Sequence, residues 1–423
     1  MHGFLIQEVF MAYDQITLKN GLRIIGERMP SFRSVSVGLW VESGSQYETP
    51  AEHGISHFIE HMLFKGTEKR TARDIAEEMD AVGGQLNAFT SKECTCFYAK
   101  VVDEHLPLAM DVISDLALHS RLSPDDIERE KGVVIEEINM AEDTPEDLAF
   151  DLLMLAHYGD QPVSRPILGT EASVSAITRE QIQSYMARMY RPEGAVLALA
   201  GGYDWEKVVA QAEALYGDWQ PTGDKRPELI TVPVEPRVIR RAKDIEQTHI
   251  CLGFPTSGIG SPEIYPMALL NSIYGGATSS RLFQSIREEK GMAYTVYSYP
   301  NPCTGTGVLA VYAGTSPDHA AEVVRLLNEE TQNLAENGLT PREFEQGRQQ
   351  LLSGFILGQE STSSRMNAAG RRLLLMGDTQ SDDDVIRKIK AITFEEVNAL
   401  ARKTLTSPRS ASVVGNGAEE VPV

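Results

Sequence analysis

The chain has 423 residues, 42% of them hydrophobic and 23% charged, with no biased tract. That composition belongs to a globular protein too long for one ordinary core, so two or three domains are expected. A net charge of −21 argues against nucleic acid, whose phosphates need a basic face, and suits either plain solubility or the attraction of basic peptides and cations.

The start, Met1 to Phe10, is mildly apolar, contains Glu8 and lacks both a basic n-region and a long apolar core. It does not read as a signal peptide, and Met11 is an alternative start. No run approaches the ~20 apolar residues of a membrane span, so no membrane association is expected. Cys94, Cys96, Cys251 and Cys303 are too few for a disulfide framework. They read as buried thiols in a reducing, cytoplasmic compartment of a bacterial type.

Asn20-Gly21 is a hairpin signal between Ile16–Leu18 and Leu22–Ile25, and Ser34–Val41 alternates as a strand. A helix is expected around Gly54–Phe64. A second starts at Thr71, with Asp74 placed for a capping box, and ends at Gly83-Gly84. Strands Gln85–Thr90 and Cys94–Val101 follow, then a helix over Leu106–Leu118. A long helix starts at Ser123, with Pro124 at its first position, and the half closes on a strand at Ala195–Ala200. Gly217–Pro236, rich in Pro, Gly and charge, reads as a linker.

The pattern then repeats. Leu122–Glu128 is matched by Leu339–Glu345, and the helix before each follows an Asp-containing turn, at Asp103-Glu104-His105 and Asp318-His319. The second half also ends on a strand, near Val413. The expected fold class is α+β: two homologous α/β repeats, antiparallel-rich sheets with helices packed on them, joined by the linker into a clamp. The expected boundaries are 12–216, 217–236 and 237–416.

Residues 57–61 read His57-Phe58-Ile59-Glu60-His61. On a helix, residues four apart share a face, so two imidazoles at this spacing can reach one tetrahedral zinc. Glu60, three residues after His57, shares that face and stands where a carboxylate could take a proton from a water beside the metal. The spacing arises by chance in about one in a hundred chains of this length, so the motif needs a third ligand. The helix from Ser123 offers Glu128, Glu130, Glu136 and Glu137. Glu130 and Glu137 are seven apart on one face, beside the apolar Ile127, Val134, Ile135 and Ile138. Glu128 and Glu136 read as solvated.

H-x-x-E-H marks the inverzincins. With the context EHMLFKGT, the stretch GGQLNAFTSKECTCFY and the His61–Glu137 spacing, the chain resembles the pitrilysin family of zinc peptidases, including the mitochondrial processing peptidase β-subunit and its bacterial relatives. The resemblance covers nearly the whole chain and implies a zinc-dependent endopeptidase with one zinc ion per chain. It makes His57, His61 and Glu137 the ligands, Glu60 the general base of a zinc-bound water that attacks the carbonyl, and Glu130 the support behind the site. It also implies a short or unfolded peptide held as an added strand along Gln85, Asn87, Ala88, Phe89 and Thr90, which by themselves read as an ordinary strand. In the second half, Gly347 and Gly354 fall opposite Glu130 and Glu137, so that copy has no metal chemistry. Its Arg287 and Tyr294 read by themselves as a surface arginine and a packed tyrosine. The resemblance makes them contacts to the substrate and to the carbonyl under attack, with suitable donors for a developing oxyanion. The likeness and the acidic balance point to basic peptides, and relatives of this length pair, so a homodimer is expected. His53, His105, His119, His157, His249 and His319 have no assigned role.

Overall fold

A computed structural model describes residues 13–223, 229 and 232–423. The expectations for Met1–Phe10 and Met11, and part of the Gly217–Pro236 linker, lie outside the described residues. The described part of that linker contains no helix or strand.

The first half runs β1 (Asp14–Thr17), β2 (Arg23–Arg28), β3 (Ser34–Val41), α1 (Ile55–Leu63), α2 (Ala72–Ala81), β4 (Gln85–Thr90), β5 (Thr95–Val102), α3 (Leu106–His119), α4 (Pro124–Asp143), α5 (Pro145–Tyr158), α6 (Glu171–Ala176), α7 (Arg179–Met189), β6 (Ala195–Gly201) and α8 (Trp205–Tyr216). The second runs β7 (Val238–Arg241), β8 (Thr248–Thr256), α9 (Ile264–Tyr274), a π-helical segment Phe283–Glu289, β9 (Thr295–Cys303), β10 (Thr306–Thr315), α10 (Ala320–Asn337), α11 (Pro341–Gly358), α12 (Thr362–Met376), α13 (Asp382–Ala391), α14 (Phe394–Leu405) and β11 (Ser410–Val414).

The strands form two mixed sheets, in the orders β1-β2-β6-β3-β5-β4 and β7-β11-β8-β10-β9. Only β2/β6 and β7/β11 pair parallel; all other neighbours are antiparallel. The second order reproduces the first without β1, which is what a duplicated unit requires. The fold is therefore α+β with two related sheets, as the sequence pattern indicates.

Local chemistry accounts for the element ends. Thr71 and Asp74 form the expected capping box on α2. Ser123 stands at the N-cap of α4 but makes no side-chain cap bond, whereas Thr340 and Glu343, 217 residues after Ser123 and Asp126, form a complete box on α11. Gly54 precedes α1 at φ +90°, a left-handed conformation that costs a glycine little. The first N–H groups of α1 are then met by Glu48, whose carboxylate accepts from the backbone of Gly54 and Ser56, each at 2.8 Å.

One face of the first sheet packs Val37, Leu39 and Phe97 against Ile55, Phe58, Ile59 and Met62 of α1 and against α3. The opposite face, with Ile25, Trp40, Val196 and Ala198, is covered by Met366, Ala369, Leu373 and Leu374 of α12, a helix of the other half. The second sheet is treated alike: Cys251, Ala310, Tyr312 and Val414 pack against Leu148, Ala149 and Leu153 of α5. Helices α5 and α12 start 217 residues apart, so the duplicated units exchange the same helix. All four cysteines are buried and unbonded, and no described helix is long and apolar enough to cross a membrane.

Candidate metal centre

Helix α1 seats its apolar residues on the sheet and turns His57, Glu60 and His61 toward α4. His57 is 7% exposed, and the two imidazole centroids are 4.6 Å apart. From α4, Glu137 Oε2 comes within 3.6 Å of His57 Nε2 and 3.4 Å of His61 Nε2. Ligands at ~2.0–2.1 Å around a tetrahedral zinc stand about 3.3 Å from one another, so these separations fit the edges of that tetrahedron. The donor set, two imidazoles and one carboxylate with a position left over, suits catalytic zinc. Among the described residues no second group of this kind occurs.

Glu130, 2% exposed, lies behind this group. Its Oε1 is 2.8 Å from His61 Nδ1 and its Oε2 is 2.7 Å from Lys65 Nζ. The carboxylate holds the imidazole by Nδ1 and leaves Nε2 facing the cluster, the usual support for a metal-binding histidine. Burial works to raise the Glu130 pKa, but the bonds from His61 and Lys65 outweigh it and the net shift is downward. Burial, with His61 beside it, holds His57 down to about 4, so His57 is neutral and its ring nitrogen is free to donate a lone pair. For His61 burial is outweighed by Glu130, Glu137 and Glu60, and its pKa rises.

Glu60 Oε2 accepts a 2.5 Å bond from Thr90 Oγ1, which ties α1 to β4. Burial, reinforced by Glu137, raises the Glu60 pKa against the opposing effect of that bond. Strand β4 is the outer strand of its sheet. Gln85 and Asn87 are exposed, Asn87 Oδ1 accepts from the Ala88 N–H at 2.8 Å, and Phe89 meets Trp40 edge-on at 5.4 Å. Glu128 and Glu136 are exposed, as expected of solvated positions.

Arg287 and Tyr294 are brought together with each other, not with the cluster. The guanidinium lies 4.7 Å from the Phe283 ring centroid and 5.1 Å from that of Tyr294, which is 76% exposed. Neither makes a hydrogen bond or ion pair with His57, His61 or Glu137 among the described residues. Lys65 and Glu48 were missed by sequence reasoning. Lys65 stands four residues after His61, a helical spacing that could have revealed it; Glu48 acts from outside the helix and leaves no comparable signal.

Residues 23–171 match the family model described as Insulinase (Peptidase family M16), and residues 176–351 match the one described as Peptidase M16 inactive domain. The chain is 40% identical over 402 residues to an uncharacterized zinc protease of Bacillus subtilis, covering 94% of this chain and 97% of that protein. The chain belongs to the M16 peptidase family. An uncharacterized zinc protease of Mycobacterium tuberculosis is 42% identical, over 96% of this chain and 93% of the relative. As an M16 member with these relatives and a His-His-Glu group, the chain is a zinc protease. The crystal structure of a protease from Helicobacter pylori shares the fold at a TM-score of 0.90 and 19% identity, covering 95% of this chain and 99% of that one. A Pseudomonas fluorescens structure titled as a peptidase M16 inactive domain shares it at 0.89 and 19%, over 96% and 98%.

Proposed function

We propose that this M16 zinc protease is an endopeptidase acting on short or unfolded peptides, held as an added strand along β4 between its two halves, with one zinc per chain. The halves are residues 12–216 and 237–416, joined by 217–236. His57, His61 and Glu137 are the ligands in this reading. Zinc, when bound there, acidifies water and polarises a peptide carbonyl. Glu60 takes the proton from the attacking water and passes it to the leaving amine, a role that its burial favours by raising its basicity. Thr90 fixes the carboxylate through Oε2 while belonging to the strand that receives the peptide. That single bond supports the reading best, because it joins the proton carrier to the place where a main chain would lie.

Glu130 orients His61. Arg287 and Tyr294 supply donors from the second half toward the substrate and the carbonyl oxygen. The proposal extends to a cytoplasmic homodimer acting on basic peptides, in keeping with the acidic net charge.

The test is Glu60→Gln. It should retain stoichiometric zinc and lose about 10²–10⁴-fold in peptide hydrolysis, the range of general base catalysis. Undiminished cleavage would remove Glu60 from the mechanism.

A further inference from the structure

Strands β4 and β5 join through a tight turn, in which the Ser91 N–H donates to Cys94 O at 2.8 Å. Odd-numbered residues of β4 therefore aim their N–H and C=O groups at β5, and Leu86, Ala88 and Thr90 aim theirs at the open side. The outer strand of the second sheet, β9, ends in a turn of its own, Thr304-Gly305, before β10. The two turns meet. Glu93, 3% exposed, accepts the Thr304 N–H through Oε1 at 2.7 Å. This bond crosses from one half to the other, three residues beyond the Thr90 whose hydroxyl holds Glu60.

The second copy offers its turn rather than its edge. On the open side of β9 the Ser298 N–H is taken by Gly275 O at 3.1 Å, and Pro300 and Pro302, which share that side, have no N–H to give. These positions cannot donate to an added strand, whereas β4 contains no proline. The β4 turn is also held on its own half, where the Gln46 N–H donates to Lys92 O at 2.8 Å and Lys92 Nζ donates to Arg165 O. Glu93 adds the contact through which the place of that turn depends on the second half. Losing it would leave a buried backbone donor and a buried carboxylate without each other, which is costly.

We propose that Glu93 is a positioning residue of this protease: it ties the end of β4 to the second half and, through Thr90, sets the place of the Glu60 carboxylate. The inference rests on the reading of Glu60 as the proton carrier and of β4 as the strand that receives the peptide.

Steady-state peptide hydrolysis by the full, zinc-loaded chain tests it, in a double-mutant cycle of Glu93→Ala and Thr90→Val. Each single variant should lower kcat about tenfold, because small displacements of a reacting group are costly in rate. KM should change less than about threefold, since Leu86 and Ala88 keep their pairing with Ala99 and Phe97. If Glu93 acts through Thr90, the double variant loses no more than about tenfold, whereas independent effects multiply to about a hundredfold. Glu93→Gln keeps a carbonyl acceptor for the Thr304 N–H and should stay within about twofold of wild type. Thr304→Pro removes the donor instead. Thr304 has a negative φ and Gly305 stands at φ +77°, the pattern of a type II turn that favours proline at the first of its two central positions. The turn should therefore survive while kcat falls as in Glu93→Ala. Hydrogen exchange across residues 85–94 of the zinc-free full chain should quicken at least about tenfold in both variants that break the bond. Wild-type kcat in both, unchanged exchange in both, or multiplying effects in the cycle would overturn the assignment while leaving Glu60 in its role. Full cleavage by Glu60→Gln would instead remove the reading on which it rests, and the assignment with it.

Discussion

Replacing Glu130 removes a carboxylate that is 2% exposed and holds His61 Nδ1 at 2.8 Å and Lys65 Nζ at 2.7 Å. A hydrogen bond to a charged group contributes about 1.5–3 kcal/mol net. Partners that orient a metal-bound histidine are worth about 10–100-fold in metal affinity, or about 1.4–2.8 kcal/mol at 1.36 kcal/mol per decade. The two routes agree. Glutamine keeps an acceptor for Nδ1 but loses the charge facing Lys65, so Glu130→Gln should weaken zinc about tenfold. Glu130→Ala frees the imidazole to turn and should approach a hundredfold. Competition against a chromogenic zinc chelator at neutral pH reads this directly, with Glu136→Gln on the exposed side of α4 as a control that should leave affinity unchanged. If Glu130→Ala binds zinc as tightly as the control, the carboxylate does not orient His61 and the reasoning fails.

Glu48, 4% exposed, has a pKa pushed up to about 7 by burial, against the bonds from Ser56 and Gly54 that lower it. The folded state therefore binds this proton more tightly than the unfolded chain, whose value is 4.5. Its contribution to stability is fully present below pH 4.5 and lost as pH rises through 7, an upper bound of about 3 kcal/mol. Thermal melts from pH 5 to pH 8 should fall less steeply for Glu48→Gln than for wild type. Gly370→Ala would place a methyl 2.3 Å from Trp40 Nε1 and push α12 off the sheet; a loss of about 1–3 kcal/mol is expected for such overpacking, read in a chemical denaturation curve. Met140, 70% exposed, and Val133, 47% exposed, flank Glu137 on α4 at helical spacings of three and four. Met140→Glu should lower kcat/KM about tenfold for peptides with an apolar residue beside the cut, with little change for peptides carrying alanine there.

The residues of the proposed metal centre stand out in the sequence because each relation among them is local or periodic. His57 and His61 are one turn apart, Glu130 and Glu137 two turns, and a helix converts those spacings into a shared face. The capping box on α2 is readable for the same reason. Helices α5, α6 and α7, between α4 and β6, went unread. A single residue, Thr144, separates α5 from α4, and the apolar content of α5 announces burial without saying against what. An apolar stripe looks the same whether it covers its own sheet or its neighbour's, so the exchange of α5 and α12 leaves no trace in composition. Strand order is also invisible in one sequence; that β4 is the outer strand follows from pairing with β5 alone. The hydrogen bond from Thr90 to Glu60 is a consequence of that pairing, and no spacing predicts it.

The exchange has a consequence for the metal-bearing half alone. Residues 12–216 leave Ile25, Trp40 and Val196, all at most 1% exposed in the whole chain, without the helix that covers them. Burying side chains of this size contributes about 1.5–3 kcal/mol each, so those three account for about 5–9 kcal/mol, comparable to the whole stability of about 5–15 kcal/mol of an ordinary domain. The fragment also keeps α5, whose Leu148 and Leu153 would lose their partners on the second sheet. Glu137 is six residues before the end of α4, and only Thr144 separates α4 from α5. Loss of the second sheet therefore frees the helix next in line to a proposed ligand. Expressed alone, residues 12–216 should show no cooperative thermal transition and should bind zinc at least about a hundredfold more weakly than the full chain, whereas addition of residues 217–423 should restore both. A cooperative transition with zinc affinity equal to that of the full chain would mean that α12 is dispensable to the first sheet.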